Sequence, residues 1–404
     1  MGSVYPEKQN VIDDRQSWTG GEVHFPEFLW EVPAAERVPE YDRPDCGAEA
    51  YFLDSVTYQG ETTKVFALVG LPEGASAEDP VPGAVLVHGG GGTAFADWVK
   101  YWTDRGYAAI SIDTEGHIPT ADADVYQANV TQPSPRHHGP ANLQFSDCQL
   151  PIEDQWPYHA VSATIAANSF LRSFSEVNAA KIGLTGISWG SVIAANAACY
   201  DDRFAFCVPV YGGLGLEGSA GICGDIYRNY PRGAELWDGL DKLEACRTPF
   251  LFLNGNADPY FTPDATSRCL TAAENAEMLI IDKMIHGHLQ GFDVPEIYAF
   301  ADNICFGTER ALPQIVSQPS FEDQTVVFDR ARSQSVVATV YYTLDAEITP
   351  DTLWLSRMVQ AEDGEVAFQV HENTTAFYVM LADYTYSDEG LRSCTELVIR
   401  PELS

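Results

Sequence analysis

Ser188 stands at the centre of Gly186-Ile187-Ser188-Trp189-Gly190. Further along come an aspartate, Asp258 in Asn254-Gly255-Asn256-Ala257-Asp258-Pro259, and a histidine, His286 in Met284-Ile285-His286-Gly287-His288. A serine hydroxyl is a weak nucleophile until a base takes its proton. The imidazole that does so needs a third group to orient it and to stabilise its positive charge. Ser188, Asp258 and His286 fill these roles in the chain order nucleophile, acid, base. A five-residue glycine-serine pattern is common by chance, so its surroundings must decide between a nucleophile and an ordinary glycine-rich turn.

Each role has a rival. Asp113 also follows an apolar run, but it precedes Ser188, and its Glu115-Gly116-His117 context suits a loop turn, so Asp258 is the expected acid. His288 competes with His286 as base. The pair also reads as a metal site, but without an acidic or cysteine ligand set beside it no metal is expected. The oxygen that turns negative on carbonyl attack needs preorganised donors. The N–H of Trp189 and that of Gly90 or Gly91, in His88-Gly89-Gly90-Gly91-Gly92-Thr93, are the candidates. That loop lacks the lysine and Ser/Thr of a nucleotide-binding loop. Trp156, Tyr158, Tyr211 and Tyr260 are candidate substrate contacts, with core packing the alternative for the first two, and Arg136-His137-His138 reads as either a substrate contact or surface.

The elements needed to position these residues are present. Ile182, Leu184 and Ile187 suit a buried parallel strand, and Ala194, Ala195, Ala197 and Ala198 give the next helix a small surface for close packing. Upstream, 48–58 and 63–71 read as an antiparallel hairpin, 83–87 and 107–113 as strands, and 95–105 and 153–174 as helices. Downstream, 204–211, 249–253 and 278–281 read as strands, with a helix over 263–275. The polar, proline-marked segment 119–151 is a candidate lid. The insertion 212–232 follows a strand's carboxyl end, where open α/β sheets bind ligands.

The 404 residues carry a formal net charge of -35, which opposes attraction to nucleic acid or an anionic membrane surface. Lysine occurs only at positions 8, 64, 100, 181, 242 and 283, as adaptation to saline surroundings or plain solubility would produce. The nine cysteines lack paired zinc or redox spacing, and any disulfides are expected among those in loops. No run reaches the length of a membrane span. A soluble protein is expected, secreted or periplasmic if a leader has been removed.

Together VHGGGG, GISWGS, NGNADP and IHGHLQGF make the chain, over 48–306, resemble the α/β-hydrolase superfamily. It looks most like the dienelactone-hydrolase and acetylxylan-esterase-like branch, which is related to prolyl oligopeptidases. The resemblance implies a mostly parallel central sheet with helices on both faces. It also implies a cofactor-free serine hydrolase acting on carboxylic esters, in several relatives on esterified polysaccharide. A prolyl-oligopeptidase-like peptidase and a non-catalytic binding protein of the same fold are the rival readings. The expected organisation is an extended arm over 1–47, a catalytic domain over 48–310 and, after the Pro313 and Pro319 linker, a β-sandwich-like domain over 311–404. Six strands are expected there, at 325–328, 336–342, 353–358, 366–370, 376–381 and 396–399. Packing or homo-oligomerisation is its expected use, with carbohydrate binding the alternative.

Overall fold

The computed structural model describes residues 18, 20–120 and 131–401, so parts of the expected arm (1–17 and 19) and lid (121–130) lie outside the described residues. Strands Ala35–Arg37 (β1), Ala48–Tyr58 (β2) and Glu61–Gly70 (β3) are antiparallel neighbours. The β2–β3 turn is Gln59-Gly60, both at positive φ (51° and 86°), as a tight hairpin turn requires. Val81–Val87 (β4) follows, then helix Ala96–Thr103 (α1) and strand Ala108–Ile112 (β5). A short ribbon of His117–Pro119 (β6) and Thr131–Pro133 (β7) stands apart from the main sheet.

Helix Trp156–Leu171 (α2) leads into Val177–Ile187 (β8), helix Trp189–Tyr200 (α3) and Cys207–Val210 (β9). Short helices Ile222–Asn229 (α4), Pro231–Trp237 (α5) and Asp241–Ala245 (α6) precede Phe250–Gly255 (β10). Helix Pro263–Ala272 (α7), strand Ala276–Ile281 (β11) and helices His288–Phe292 (α8) and Pro295–Phe306 (α9) complete this part.

The main sheet has nine strands in the order β1-β2-β3-β5-β4-β8-β9-β10-β11, and the six from β5 to β11 run parallel. Every residue of β5 and β10 is buried, because helices cover both faces. Helices α2 and α3 contact each other on one face, where a side chain at Gly83 would meet Leu171. On the other face α1 and α9 meet through Trp102 and Tyr298, with ring centroids 5.0 Å apart.

The arm is more than a cover. It supplies edge strand β1, and Phe25 inserts between Tyr158 and Tyr200 at 5.0 and 4.9 Å. The buried Arg203–Asp201 pair, 2.7 Å, also reaches the arm through the Trp30 carbonyl at 3.2 Å.

Beyond α9 come Ile315–Ser317 (β12), Thr325–Phe328 (β13), Val336–Thr343 (β14), Leu355–Gln360 (β15), Glu365–Ala367 (β16), Ala376–Asp383 (β17), Leu391–Cys394 (β18) and Val398–Ile399 (β19). One antiparallel sheet is β12-β13-β16, and the other is β15-β14-β17-β18 with β19 on β17. Val326, Phe328 and Val366 of the first pack with Val340, Phe377 and Val379 of the second, so this part is a β-sandwich. The pattern of six strands misses β12 and β18, which have three and four residues.

Strand β18 docks the sandwich on the main sheet: Cys394 Sγ accepts the Ile280 N–H at 3.3 Å, and Arg392 Nε donates to Glu296 Oε1 at 2.7 Å. All nine cysteines are buried, and none is joined in a disulfide. No helix among the described residues is long and apolar enough to cross a membrane.

Glu296 is almost fully buried and Arg392 keeps 29% of its side chain exposed. Glu296→Ala is expected to cost about 3 kcal/mol in urea unfolding, the low end for removing one partner of a buried pair because Arg392 retains some access to water.

Candidate active site

Five loops at the carboxyl ends of β4, β8, β9, β10 and β11 converge, the end at which parallel α/β sheets place ligands. Ser188 is the single residue between β8 and α3, at φ 57° and ψ -123°, a conformation a side-chain-bearing residue adopts only when its surroundings enforce it. The enforcement is steric. A Cβ at Gly190 would lie 2.3 Å from the Val87 carbonyl oxygen and 2.4 Å from that of His88, and one at Gly186 would lie 2.0 Å from the Gly190 oxygen. Glycine at both positions lets strand and helix close on each other, and the turn between them lifts the serine hydroxyl out of the sheet.

Asp258 follows β10 and its carboxylate is fully buried. Its Oδ1 accepts the N–H groups of Tyr260 and Phe261 at 2.8 and 2.9 Å, and its Oδ2 lies 2.6 Å from His286 Nδ1. Three donors compensate the charge for lost water. With Nδ1 donating to Asp258, Nε2 is the acceptor, and it lies 2.9 Å from Ser188 Oγ. Tyr211 and Tyr260 flank the imidazole at 4.4 and 4.7 Å between ring centroids, and the Tyr211 hydroxyl lies 2.8 Å from the Ile285 carbonyl, fixing the loop that carries His286.

The rivals have other work. Asp113 Oδ2 accepts the N–H groups of Gly116 and His117 at 2.7 and 2.8 Å, capping its own turn. His288 Nε2 accepts the Gly89 N–H at 2.9 Å, and burial together with the nearby His88 and His286 presses its pKa down to about 3, so the ring is neutral and serves the glycine loop. Within that loop Gly91 N–H donates to Glu115 Oε2 at 3.0 Å and Gly92 N–H to the Gly89 carbonyl at 3.1 Å. Of the two candidate loop amides, that of Gly91 is thus already engaged by the Glu115 carboxylate. The Trp189 N–H, first in α3, is one of the amides that helix geometry leaves without an intrahelical acceptor.

A cavity of about 340 Å³ opens over Ser188 and His286, lined by Gly90, Gly91, Trp189 and Tyr260 with Glu115, Asn142, Gln144 and Cys223. Of the expected substrate contacts, Tyr260 is there. Tyr211 lies beneath the base. Trp156 is buried, its Nε1 donating to the Thr114 carbonyl at 2.7 Å, and Tyr158 stacks on Phe25, so neither lines the cavity; the apolar surroundings of α2 draw both inward. Arg136 pairs with Glu36 at 2.6 Å, and the Lys64 N–H donates to the His137 carbonyl at 2.7 Å, tying that segment to the hairpin edge.

Glu115, Asn142, Gln144 and Cys223 escaped the sequence reading, although Asn142 and Gln144 fall in the expected lid and Cys223 in the expected insertion. What places them is Phe145, at φ 62° and buried beside Trp189 and Tyr227 at 5.1 and 4.7 Å, together with the Asn142-to-Glu115 bond of 2.8 Å. Among the described residues no group of three or more His, Cys, Asp or Glu side chains is placed to hold a metal ion.

Asp258→Asn is expected to keep the fold but cost His286 its tautomer, lowering the turnover of any substrate by about 10⁴ in steady-state kinetics. A second expectation concerns pH. His288 has a folded pKa of about 3 against an ordinary value of 6.5, so between these limits the unfolded chain binds more protons. Its contribution to stability is thus complete above pH 6.5 and lost as pH falls toward 3. His288→Gln, which keeps an acceptor for Gly89, is expected to flatten the acid loss of stability in that window, read by urea unfolding at several pH values.

No protein-family model and no curated protein sequence matches the chain. Among solved structures, the acetyl xylan esterase from Paenibacillus sp. R4 superposes with a TM-score of 0.50 at 20% identity, covering 64% of this chain and 84% of that one. Acetyl xylan esterase 1 from Thermoanaerobacterium sp. JW/SL YS485 gives 0.49 at 15% identity over 68% and 88%, and a puromycin-hydrolyzing peptidase of Mycobacterium tuberculosis gives 0.45 at 19% over 69% and 40%. The first of these likenesses, the parallel six-strand core and the nucleophile-type turn between β8 and α3 together establish that the chain has the α/β-hydrolase fold.

Proposed function

We propose that the chain is a serine hydrolase that cleaves carboxylic esters through an acyl-enzyme on Ser188, with small acyl groups on a sugar as its substrates. The observation that carries the reading is the unbroken relay from Asp258 through His286 to Ser188, 2.6 and 2.9 Å long, at the floor of an open cavity. His286 Nε2 takes the hydroxyl proton as Ser188 Oγ bonds to the ester carbon, and the carbonyl oxygen turns negative beside the Gly90 and Trp189 N–H groups. Each such donor is typically worth about 3 kcal/mol of barrier. Collapse breaks the bond to the alcohol oxygen, which leaves with the proton from His286. Water, deprotonated by the same nitrogen, then attacks the acyl-enzyme and frees the acid and Ser188.

The sugar side of the proposal draws on the polar rim. Glu115, Asn142 and Gln144 offer acceptors and donors to hydroxyl groups, and a volume of about 340 Å³ suits one esterified sugar unit more than a buried polymer. The acetyl xylan esterase whose fold this chain shares is named for such a substrate.

Ser188→Ala is expected to abolish hydrolysis of p-nitrophenyl acetate, a loss on the order of 10⁶ in turnover number, and to prevent labelling by a fluorophosphonate, while circular dichroism stays unchanged. Wild-type activity in the variant would remove Ser188 from the mechanism. A panel of acetyl, feruloyl and methyl-glucuronoyl sugar esters beside proline-containing peptide amides reads the substrate: faster cleavage of the amides would replace the esterase reading with a peptidase.

A further inference from the structure

The loop that carries Asp258 is tied to the sandwich at one residue. Asn256, two positions before the acid and almost fully buried, bonds through both amide hydrogens, its amide oxygen and both of its backbone groups. Its Nδ2 donates to Asp282 Oδ1 at 2.9 Å and to the Tyr378 hydroxyl at 3.2 Å, and its Oδ1 accepts the Lys283 N–H at 2.8 Å. Its backbone N–H donates to the Ile281 carbonyl at 3.2 Å, and its carbonyl accepts Trp354 Nε1 at 3.1 Å.

The partners divide into two sets. Asp282 and Lys283 begin the loop that delivers His286, and Lys283 sits at φ 54°, a conformation that needs outside support in a residue with a side chain. Tyr378 and Trp354 belong to the sandwich, on β17 and just before β15. There the Tyr378 ring stacks on Tyr341 at 4.9 Å and meets Trp354 edge-on at 5.3 Å. One side chain therefore joins the acid loop, the base loop and the second domain.

We propose that the C-terminal sandwich is a positioning domain for the relay: Trp354 and Tyr378 hold Asn256, and Asn256 fixes the Asp258 loop against the Lys283 turn so that carboxylate and imidazole stay in register. This rests on the hydrolase reading of Ser188, Asp258 and His286. Asn256, Trp354 and Tyr378 are positioning residues; none of them lines the substrate cavity. The physical demand is severe, since a displacement of about 1 Å in a reacting group can cost about 100-fold in rate.

The test uses the full chain with Tyr378→Phe, Trp354→Phe and the double variant, and Val326→Ala as a control that loosens the sandwich core away from Asn256. Expected for the double variant is about tenfold lower kcat on p-nitrophenyl acetate with KM within about twofold, a smaller effect than a full misplacement because the Asp282 and Lys283 bonds remain. The acidic limb of the kcat profile moves to lower pH, because a poorly aligned carboxylate stabilises the imidazolium less. Val326→Ala is expected to lower the melting temperature and leave kcat and the limb unchanged. Wild-type kcat and pH profile in the double variant, or the same changes in Val326→Ala, would overturn the proposal. The downfield proton resonance of His286 Nδ1–H gives a reading independent of turnover. Its shift in the double variant supports the positioning role even if no ester is cleaved, and an unchanged resonance rejects it. Should the double variant not fold, Tyr378→Phe, which removes a single oxygen, is read by the same criteria.

Discussion

The backbone of Ser188 is the constraint on which the rest of the site depends. Its left-handed φ is unfavourable in isolation, by about 1–3 kcal/mol for such a conformation. It persists because β8 is locked on both sides by parallel neighbours while α3 presses back onto the end of β4. The Gly190-to-Val87 approach is possible only without a Cβ. Strain and packing thus form one unit, in which the sheet supplies the rigidity and the turn holds the Ser188 hydroxyl beneath the cavity.

Around that turn the electrostatics are sorted by position. One buried carboxylate, Asp258, faces His286 and is satisfied by three donors. Asp113, equally enclosed, is turned to the backbone of its own loop. The additional histidines, His88 and His288, meet the glycine loop: His88 Nδ1 lies 2.7 Å from the Gly89 carbonyl oxygen, and His288 Nε2 accepts the Gly89 N–H. The neutral His288 imidazole holds the Gly89 amide in place without adding a charge to the loop. Glu115 does bring a charge, and its bonds to Gly91 and Asn142 join the glycine loop to the segment over the cavity.

The sandwich adds a second layer of support. Its own core is separate, yet Tyr341, Tyr378, Leu391 and Cys394 pack into the core of the main sheet. Burying aromatic and sulfur-bearing side chains across the seam makes the two parts interdependent, and the Glu296–Arg392 pair gives the docking a fixed direction.

Much of this was legible in the chain itself. The apolar runs of β4, β5, β8 and β10, the hairpin signal at Gln59-Gly60 and the chain order of Ser188, Asp258 and His286 are local or order-based features, and local chemistry writes them directly into sequence. The sequence could also weigh Asp258 over Asp113, since position relative to Ser188 is a one-dimensional fact, and His286 over His288, since His286 directly precedes a glycine after a short loop. It had no means to see that Gly91 is occupied by Glu115, that Trp156 and Tyr158 turn into the core, or that Asn256 meets Tyr378 across 122 positions. Those contacts join segments far apart in the chain, and a side chain's partner in such a case is set by how helices and loops pack in three dimensions. Periodicity and spacing determined the sheet and the chain order of Ser188, Asp258 and His286; packing alone decided which glycine amide Glu115 engages, which ring faces the cavity and which segments Asn256 joins.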